Sequence, residues 1–149
     1  MSEKDSSSVS AAQSGSFWDN FDTNPFHAYL GLKLVEYRFN YARLELHRTP
    51  STPTGIGGSV NGGVLATLVD MTAVAAVFAE LRPGEQPAGT ADLQVTYLRQ
   101  TKGDVVTSEA EVLKRGRQLA TVEVKVRDDS DNLCCIAKVL YAFRAPSTQ

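Results

Sequence analysis

Between Gly55 and Ala79 the chain carries a single formal charge, Asp70, and this run constrains the fold more than any other feature. Its length is that of a membrane span, about 20 mostly apolar residues. Asp70, however, sits among Ala and Thr with few Leu, Ile or Phe nearby, and a lone carboxylate at a bilayer centre costs about 2.5 to 3.5 kcal/mol on insertion scales. A buried helix is the reading that remains. Asn61 can accept hydrogen bonds from the first free N–H groups, so the helix is expected to begin there and run to about Leu81, where Pro83-Gly84 stops it. Val64, Leu65, Leu68, Val69, Thr72, Val74, Ala76 and Val77 leave no wide polar face, and a helix apolar nearly all round must be wrapped by other structure.

The rest of the chain supplies the wrapping. Phe17, Trp18 and Phe21 mark the start of ordered structure, and Asn24-Pro25-Phe26-His27 reads as a turn-like link into a β segment over Tyr29 to Tyr37. From Ala42, apolar Ala42, Leu44 and Leu46 alternate with Arg43, Glu45 and His47, the period-two signature of a half-buried strand, which completes a first hairpin. Thr49 to Gly63, with Pro50, Pro53 and five glycines, is a loop that delivers the chain to the helix. Four β-rich segments follow: Ala91 to Thr101, Val105 to Lys114, Gln118 to Arg127 and Leu133 to Arg144. The turns between them, around Gly103, Gly116 and Asp128 to Asn132, are short enough for antiparallel connections. In the third segment Ala120, Val122, Val124 and Val126 alternate with Thr121, Glu123 and Lys125, so one sheet face is dry and the other wet.

A chain of 149 residues with 42% hydrophobic content fits one domain that removes roughly two thirds of its unfolded surface from water. The expected division is a Ser-rich disordered tail over 1–16, the folded domain over 17–145 and a short tail over 146–149. The first segment lacks the basic start and apolar stretch of a secretory signal and the arginines of a presequence. A net charge of −2 gives no field to concentrate a polyanion, so nucleic acid is a poor partner, and no membrane is expected. The only cysteines, Cys134 and Cys135, are adjacent and point to opposite faces of an extended segment, which excludes an ordinary disulfide framework and fits a cytoplasmic setting. With only His27 and His47, the usual structural zinc patterns are absent, and no metal is expected.

Strand, strand, long apolar helix, then four strands is an α+β order in which the sheet must curl around the helix. At this point the residues carry a likeness. Asn61-Gly62-Gly63-Val64-Leu65-Ala66-Thr67-Leu68-Val69-Asp70 resembles the helix start of hotdog-fold acyl-CoA thioesterases of the phenylacetate-degradation type, where the pattern is usually His-Gly-Gly with an acid about two turns on. The resemblance spans roughly Asn24 to Arg144 and includes Thr90-Ala91-Asp92-Leu93-Gln94-Val95-Thr96-Tyr97-Leu98-Arg99. It implies a hotdog fold, an antiparallel sheet of about five or six strands wrapped around one long central helix. It also implies hydrolysis of an acyl-CoA, and paired hotdogs that build each active site from the glycine end of one helix and the carboxylate of the other.

Thioester hydrolysis needs a group to stabilise the oxyanion and a group that attacks or activates water. The leaving thiolate, with a parent pKa of about 8.5 if CoA behaves as a simple thiol, needs no strong general acid. A helix N-terminus supplies free N–H donors, and glycine lets a substrate approach the backbone, so Gly62 and Gly63 are the expected oxyanion donors and Asp70 the nucleophile or general base. Eight residues separate Gly62 from Asp70, about 12 Å at 1.5 Å per residue, and one carbonyl cannot touch both. The acid must then come from a second copy, so a homodimer or a dimer of dimers is required. Asn61 is expected to orient the helix start as an N-cap, and the likeness places Thr90 near the attacking water. Lys114, Arg115 and Arg117, around Gly116, are candidates for the CoA phosphates. No cofactor is expected, CoA being part of the substrate. Asp22-Thr23-Asn24-Pro25-Phe26-His27 resembles a motif of hotdog enoyl-CoA hydratases, but it precedes the first strand rather than lying at the central helix, so Asn24 and His27 are expected to cap or turn the chain. The competing functions are a hydratase or dehydratase on the same fold, which would consume an enoyl-CoA without releasing thiol, and a non-catalytic acyl-CoA-binding module.

Overall fold

The computed structural model describes residues 17–144, so the expected tails over 1–16 and 146–149 lie outside the described residues. Residues 17–20 are helical. The Asn24-Pro25-Phe26-His27 stretch is not the turn-like link expected but the start of a short helix, α1 (Pro25–Leu30). Asn24 Oδ1 accepts from the Phe26 N–H at 3.0 Å, and Pro25 occupies the first helical position, where its missing N–H costs nothing. Gly31 ends the helix at φ 83°, a left-handed conformation in which a Cβ would strike the His47 carbonyl oxygen.

The strands β1 (Leu32–Arg38) and β2 (Tyr41–His47) form the expected hairpin, with Ala42, Leu44 and Leu46 fully buried. A loop with one 3₁₀ turn (Ile56–Gly58) leads to the long helix α2 (Gly62–Phe78), followed by β3 (Gln86–Tyr97), β4 (Val105–Arg115), β5 (Leu119–Arg127) and β6 (Leu133–Arg144). The six strands make one antiparallel sheet in the order β1-β2-β4-β5-β6-β3, which curls over α2. This is the hotdog arrangement. Among the described residues, no helix is long and apolar enough to cross a membrane.

Two expectations about α2 are corrected. The helix ends at Phe78 rather than near Leu81. The Arg115 guanidinium takes the Val77 carbonyl at 3.1 Å, and Arg82, directly before Pro83, is biased away from helical backbone. The helix is also not wrapped on every side. The sheet buries Val64, Leu65, Leu68, Val69, Thr72 and Ala76, whereas Gly63, Ala66, Thr67, Asp70, Met71 and Val74 form a stripe at helical spacing that stays exposed or half-buried. At its far end Phe17 stacks on Phe78, with ring centroids 5.2 Å apart.

The third correction concerns β3, which starts and ends earlier than the expected Ala91 to Thr101. Proline is tolerated on an edge strand, so Pro87 does not delay it. None of its twelve residues is buried, although it is the sheet's terminal strand and carries Leu93, Val95 and Tyr97. Its pairing with β6 slips twice, between Pro87 and Gly89 and between Thr90 and Asp92. Gly89 sits at φ 113°, open almost only to glycine, so the irregularity is built into the sequence.

Candidate active site

The α2 start and the two slips in β3 bring the candidate residues together in two groups. At the helix start, Asn61 Oδ1 accepts from the Gly63 N–H at 2.8 Å, an N-cap as expected. That bond corrects the assignment of Gly63 as an oxyanion donor, because its N–H is already committed. The Val64 and Leu65 N–H groups both turn back to the Asn61 carbonyl, at 3.0 and 3.1 Å. Gly62 is left as the donor without a partner among the described residues. Tyr97, at the end of β3, lies over it, its hydroxyl donating to the Gly62 carbonyl at 2.6 Å. Burial pushes the Tyr97 phenol above its ordinary value, with the neighbouring Cys135 thiol adding to the shift, so the hydroxyl stays protonated and donating. Gly62 and Tyr97 line a cavity of about 370 Å³ together with Ile56, Leu65 and Arg99.

Two turns along α2, Asp70 stands half-buried on the open stripe. The Thr90 hydroxyl donates to Asp70 Oδ1 at 2.6 Å and is its one hydrogen-bond donor among the described residues. The irregular stretch of β3 turns Thr90 onto the carboxylate, as bulges commonly re-aim a side chain near a functional group. The threonines within the helix do not serve Asp70. Thr67 donates to the Gly63 carbonyl at 3.0 Å, while buried Thr72 bonds the Leu68 carbonyl at 2.6 Å and Ser108 at 2.8 Å. Tyr141, beneath Thr90 in the pairing of β3 with β6, is pushed above its ordinary pKa chiefly by burial; a backbone hydrogen bond at Gly89 opposes the shift and the Asp70 charge adds to it.

The Gly62 and Asp70 groups do not meet within one chain. Eight helical residues keep them about 12 Å apart. The structure therefore brings together Asn61 with Gly62 and Gly63, and Thr90 with Asp70, as two separate groups.

Arg115 is a correction. Its side chain is 1% exposed and pairs with Glu85 at 3.0 Å, Asn40 Oδ1 at 3.1 Å and the Val77 carbonyl at 3.1 Å. Burial pulls its pKa down while Glu85 opposes the shift. Each of its three nitrogens donates to a group of this chain, and the side chain, buried where it ties the C-terminal end of α2 to β4, is unavailable to a substrate phosphate. Gly116 closes the turn by donating its N–H to the Leu119 carbonyl at 2.8 Å, and Lys114 and Arg117 are exposed, with no ion pair among the described residues. The stretch resembling a hydratase motif is used up locally. Asp22 Oδ1 accepts from the Leu34 N–H at 3.0 Å, Asn24 caps α1, and His27 Nδ1 donates to the Phe21 carbonyl at 2.8 Å.

Sequence reasoning missed Tyr97 and Tyr141. Period-two alternation places a tyrosine on a strand face but not over a particular peptide, and only the curl of the sheet brings β3 back to the start of α2.

The sequence profile of the thioesterase superfamily matches residues 57–135, which include Gly62, Asp70 and Thr90. The medium/long-chain acyl-CoA thioesterase YigI of Salmonella typhimurium is 28% identical over 130 residues, covering 78% of this chain and 84% of that protein. A putative esterase of Halobacterium salinarum is 31% identical over 113 residues, covering 74% of each. The Escherichia coli PaaI protein of the phenylacetic acid degradation operon superposes with a TM-score of 0.75 at 18% identity, over 91% of this chain and 98% of its own, a likeness of fold. With more than half of its length matched by the family profile, the chain belongs to the thioesterase superfamily, a family of thioester-hydrolysing enzymes.

Proposed function

We propose that the protein is an acyl-CoA thioesterase whose active site forms between two copies of the chain. The observation that carries this reading is Asp70, a carboxylate on the stripe of α2 that the sheet leaves open, held by Thr90 and, among the described residues, by no cation. A second α2 running antiparallel along that stripe would cover Ala66, Thr67, Met71 and Val74 and bring its Gly62 to this chain's Asp70. The bare edge of β3 supports the same pairing. An exposed strand with apolar residues is a liability that a two-fold partner strand removes.

In the assembled site the unpartnered Gly62 N–H, at the positive end of α2, faces the thioester carbonyl oxygen and stabilises the charge that develops there. Thr90 fixes Asp70 Oδ1 and leaves Oδ2 free as nucleophile or general base. As a base, Oδ2 takes a proton from water while the water oxygen bonds to the carbonyl carbon. The tetrahedral intermediate collapses, the C–S bond breaks, and the thiolate recovers the proton from Asp70, giving a carboxylic acid and free CoA. As nucleophile, Oδ2 itself bonds to the carbonyl carbon while the C–S bond breaks and the thiolate leaves; water then cleaves the anhydride, freeing the Asp70 carboxylate and the carboxylic acid, and its proton goes to the thiolate. Single-turnover hydrolysis in ¹⁸O water separates the two, since only the nucleophilic route puts label into the Asp70 side chain. The reaction needs no metal or redox cofactor. Arg117, exposed at the β4–β5 turn, is the residue we assign to a CoA phosphate.

Subunit complementation tests the shared site. Asp70→Asn removes the base, an effect of about 10²- to 10⁴-fold on kcat. Gly62→Pro removes the N–H while keeping a residue suited to the first helical position, and Asn61, at φ −56° and ψ 136°, already has the extended backbone that a following proline requires. Each variant alone should lose at least about 10²-fold in acyl-CoA hydrolysis, as removal of one oxyanion donor does elsewhere. Unfolding and refolding the two together should restore roughly a quarter of wild-type activity, because half of the random dimers are mixed and each holds one intact site. No recovery from folded, mixed dimers would overturn the shared-site reading.

A further inference from the structure

The two side chains that touch the Gly62–Gly63 peptide do so at opposite ends of it. The Tyr97 hydroxyl donates to its carbonyl oxygen at 2.6 Å, and Asn61 Oδ1 accepts from its N–H at 2.8 Å. The Tyr97 ring also lies flat enough on Gly62 that a Cβ there would touch Cζ at 3.5 Å, an ordinary packing contact. We infer that Tyr97 is a positioning residue for thioester hydrolysis, clamping the Gly62–Gly63 peptide against Asn61 so that the free Gly62 N–H keeps its aim. This rests on the reading of Gly62 as the oxyanion donor.

The physical need for a clamp follows from the sequence. Two consecutive glycines have the largest backbone freedom of any dipeptide, and they stand at a helix end, where hydrogen bonds are fewest. An oxyanion donor is effective only when it is fixed before charge develops, and displacement by about 1 Å can cost 10²-fold in rate. The N-cap bond holds the N–H end of the Gly62–Gly63 peptide, and its carbonyl is held otherwise only by the first i→i+4 bond of α2, within the same terminal turn. Fraying of that turn would still swing the Gly62 carbonyl and, through the torsions at Gly62, its N–H. Tyr97 opposes this motion from outside the helix, from a strand paired to β6 through Cys135. The ring of Tyr97 is about half exposed, so the contact contributes little to the core and its value lies in direction rather than in burial.

Tyr97→Phe keeps the ring and deletes only the donor. On an acyl-CoA substrate it should lower kcat about tenfold or more, leave KM within about twofold, and leave the melting temperature near wild type. A Tyr97→Phe/Asn61→Ala double variant should lose much less than the product of the two single losses, since both side chains restrain one peptide. Amide order parameters read the clamp without any turnover. Those of Gly62 and Gly63 should fall from the rigid range near 0.85 toward 0.6 in Tyr97→Phe.

Unchanged order parameters, multiplicative single effects or a change in KM alone would overturn the clamp. A clamp visible by relaxation in a protein that hydrolyses no acyl-CoA would instead sink the functional reading and leave the structural restraint standing.

Discussion

Thr90 matters most to the proposed role of Asp70, because among the described residues it is the one hydrogen-bond donor to that carboxylate. Thr90→Val preserves shape and deletes the hydroxyl. It should lower kcat by about ten- to hundredfold through misorientation of Asp70, with thiol release as the readout; an unchanged rate would remove Thr90 from the mechanism. The arginines separate in the opposite way. Arg115→Ala strands Glu85, which is 11% exposed, and should destabilise the fold by about 3 to 5 kcal/mol in a denaturant titration. Arg117→Ala, at the exposed tip of the same turn, should raise KM for acyl-CoA without moving the melting temperature. Two arginines separated by one glycine look equivalent in a sequence, and only burial tells the structural one from the accessible one. Asp70 was legible for the converse reason: a single charge in a long apolar run needs an explanation whatever the fold.

At the scale of elements, the helix and most strands follow from residue periodicity, and the departures have local causes. The helix α1 was hidden because Asn-Pro reads equally well as a turn, and the cap only declares itself when Gly31 closes the other end. The strand β3 was displaced because its early residues include Pro87 and Gly89, which argue against a strand unless it lies on an edge and carries irregular pairing. The open stripe of α2 was illegible in principle. Apolar residues all round a helix call for burial on every side, and nothing in their spacing tells which side the sheet of the same chain leaves open. Gly89→Ala probes the link between strand irregularity and site. A side chain at φ 113° imposes strain of roughly 1 to 3 kcal/mol, so the variant should lose stability and, as Thr90 shifts, also kcat. Loss of stability with full kcat per folded molecule would show that Thr90 is held independently of the slipped pairing.

At the scale of the whole molecule, two weak acids that stay protonated, buried Cys135 and half-buried Tyr41, set an alkaline limit. Burial, with Cys134 adding, pushes the Cys135 thiol from 9.0 up to about 12, and burial followed by the hydrogen bond to Glu109 pushes Tyr41 from 10.0 to about 12. Both groups bind protons more tightly when folded. The stability they contribute is fully present below their unfolded values and declines as pH rises from about 9 toward 12. Unfolding free energy measured across that window should fall with increasing pH, and a flat profile would contradict the burial of Cys135. Both cysteines should also resist thiol reagents at neutral pH until the chain unfolds.

Thr90 belongs to the sheet's outermost strand, so under the proposed joining of copies along β3 the same dozen residues would serve two purposes at once. A change there that loosened contact between copies would also tilt the hydroxyl steadying the acid. Heredity could then not adjust association through this strand without also touching reactivity.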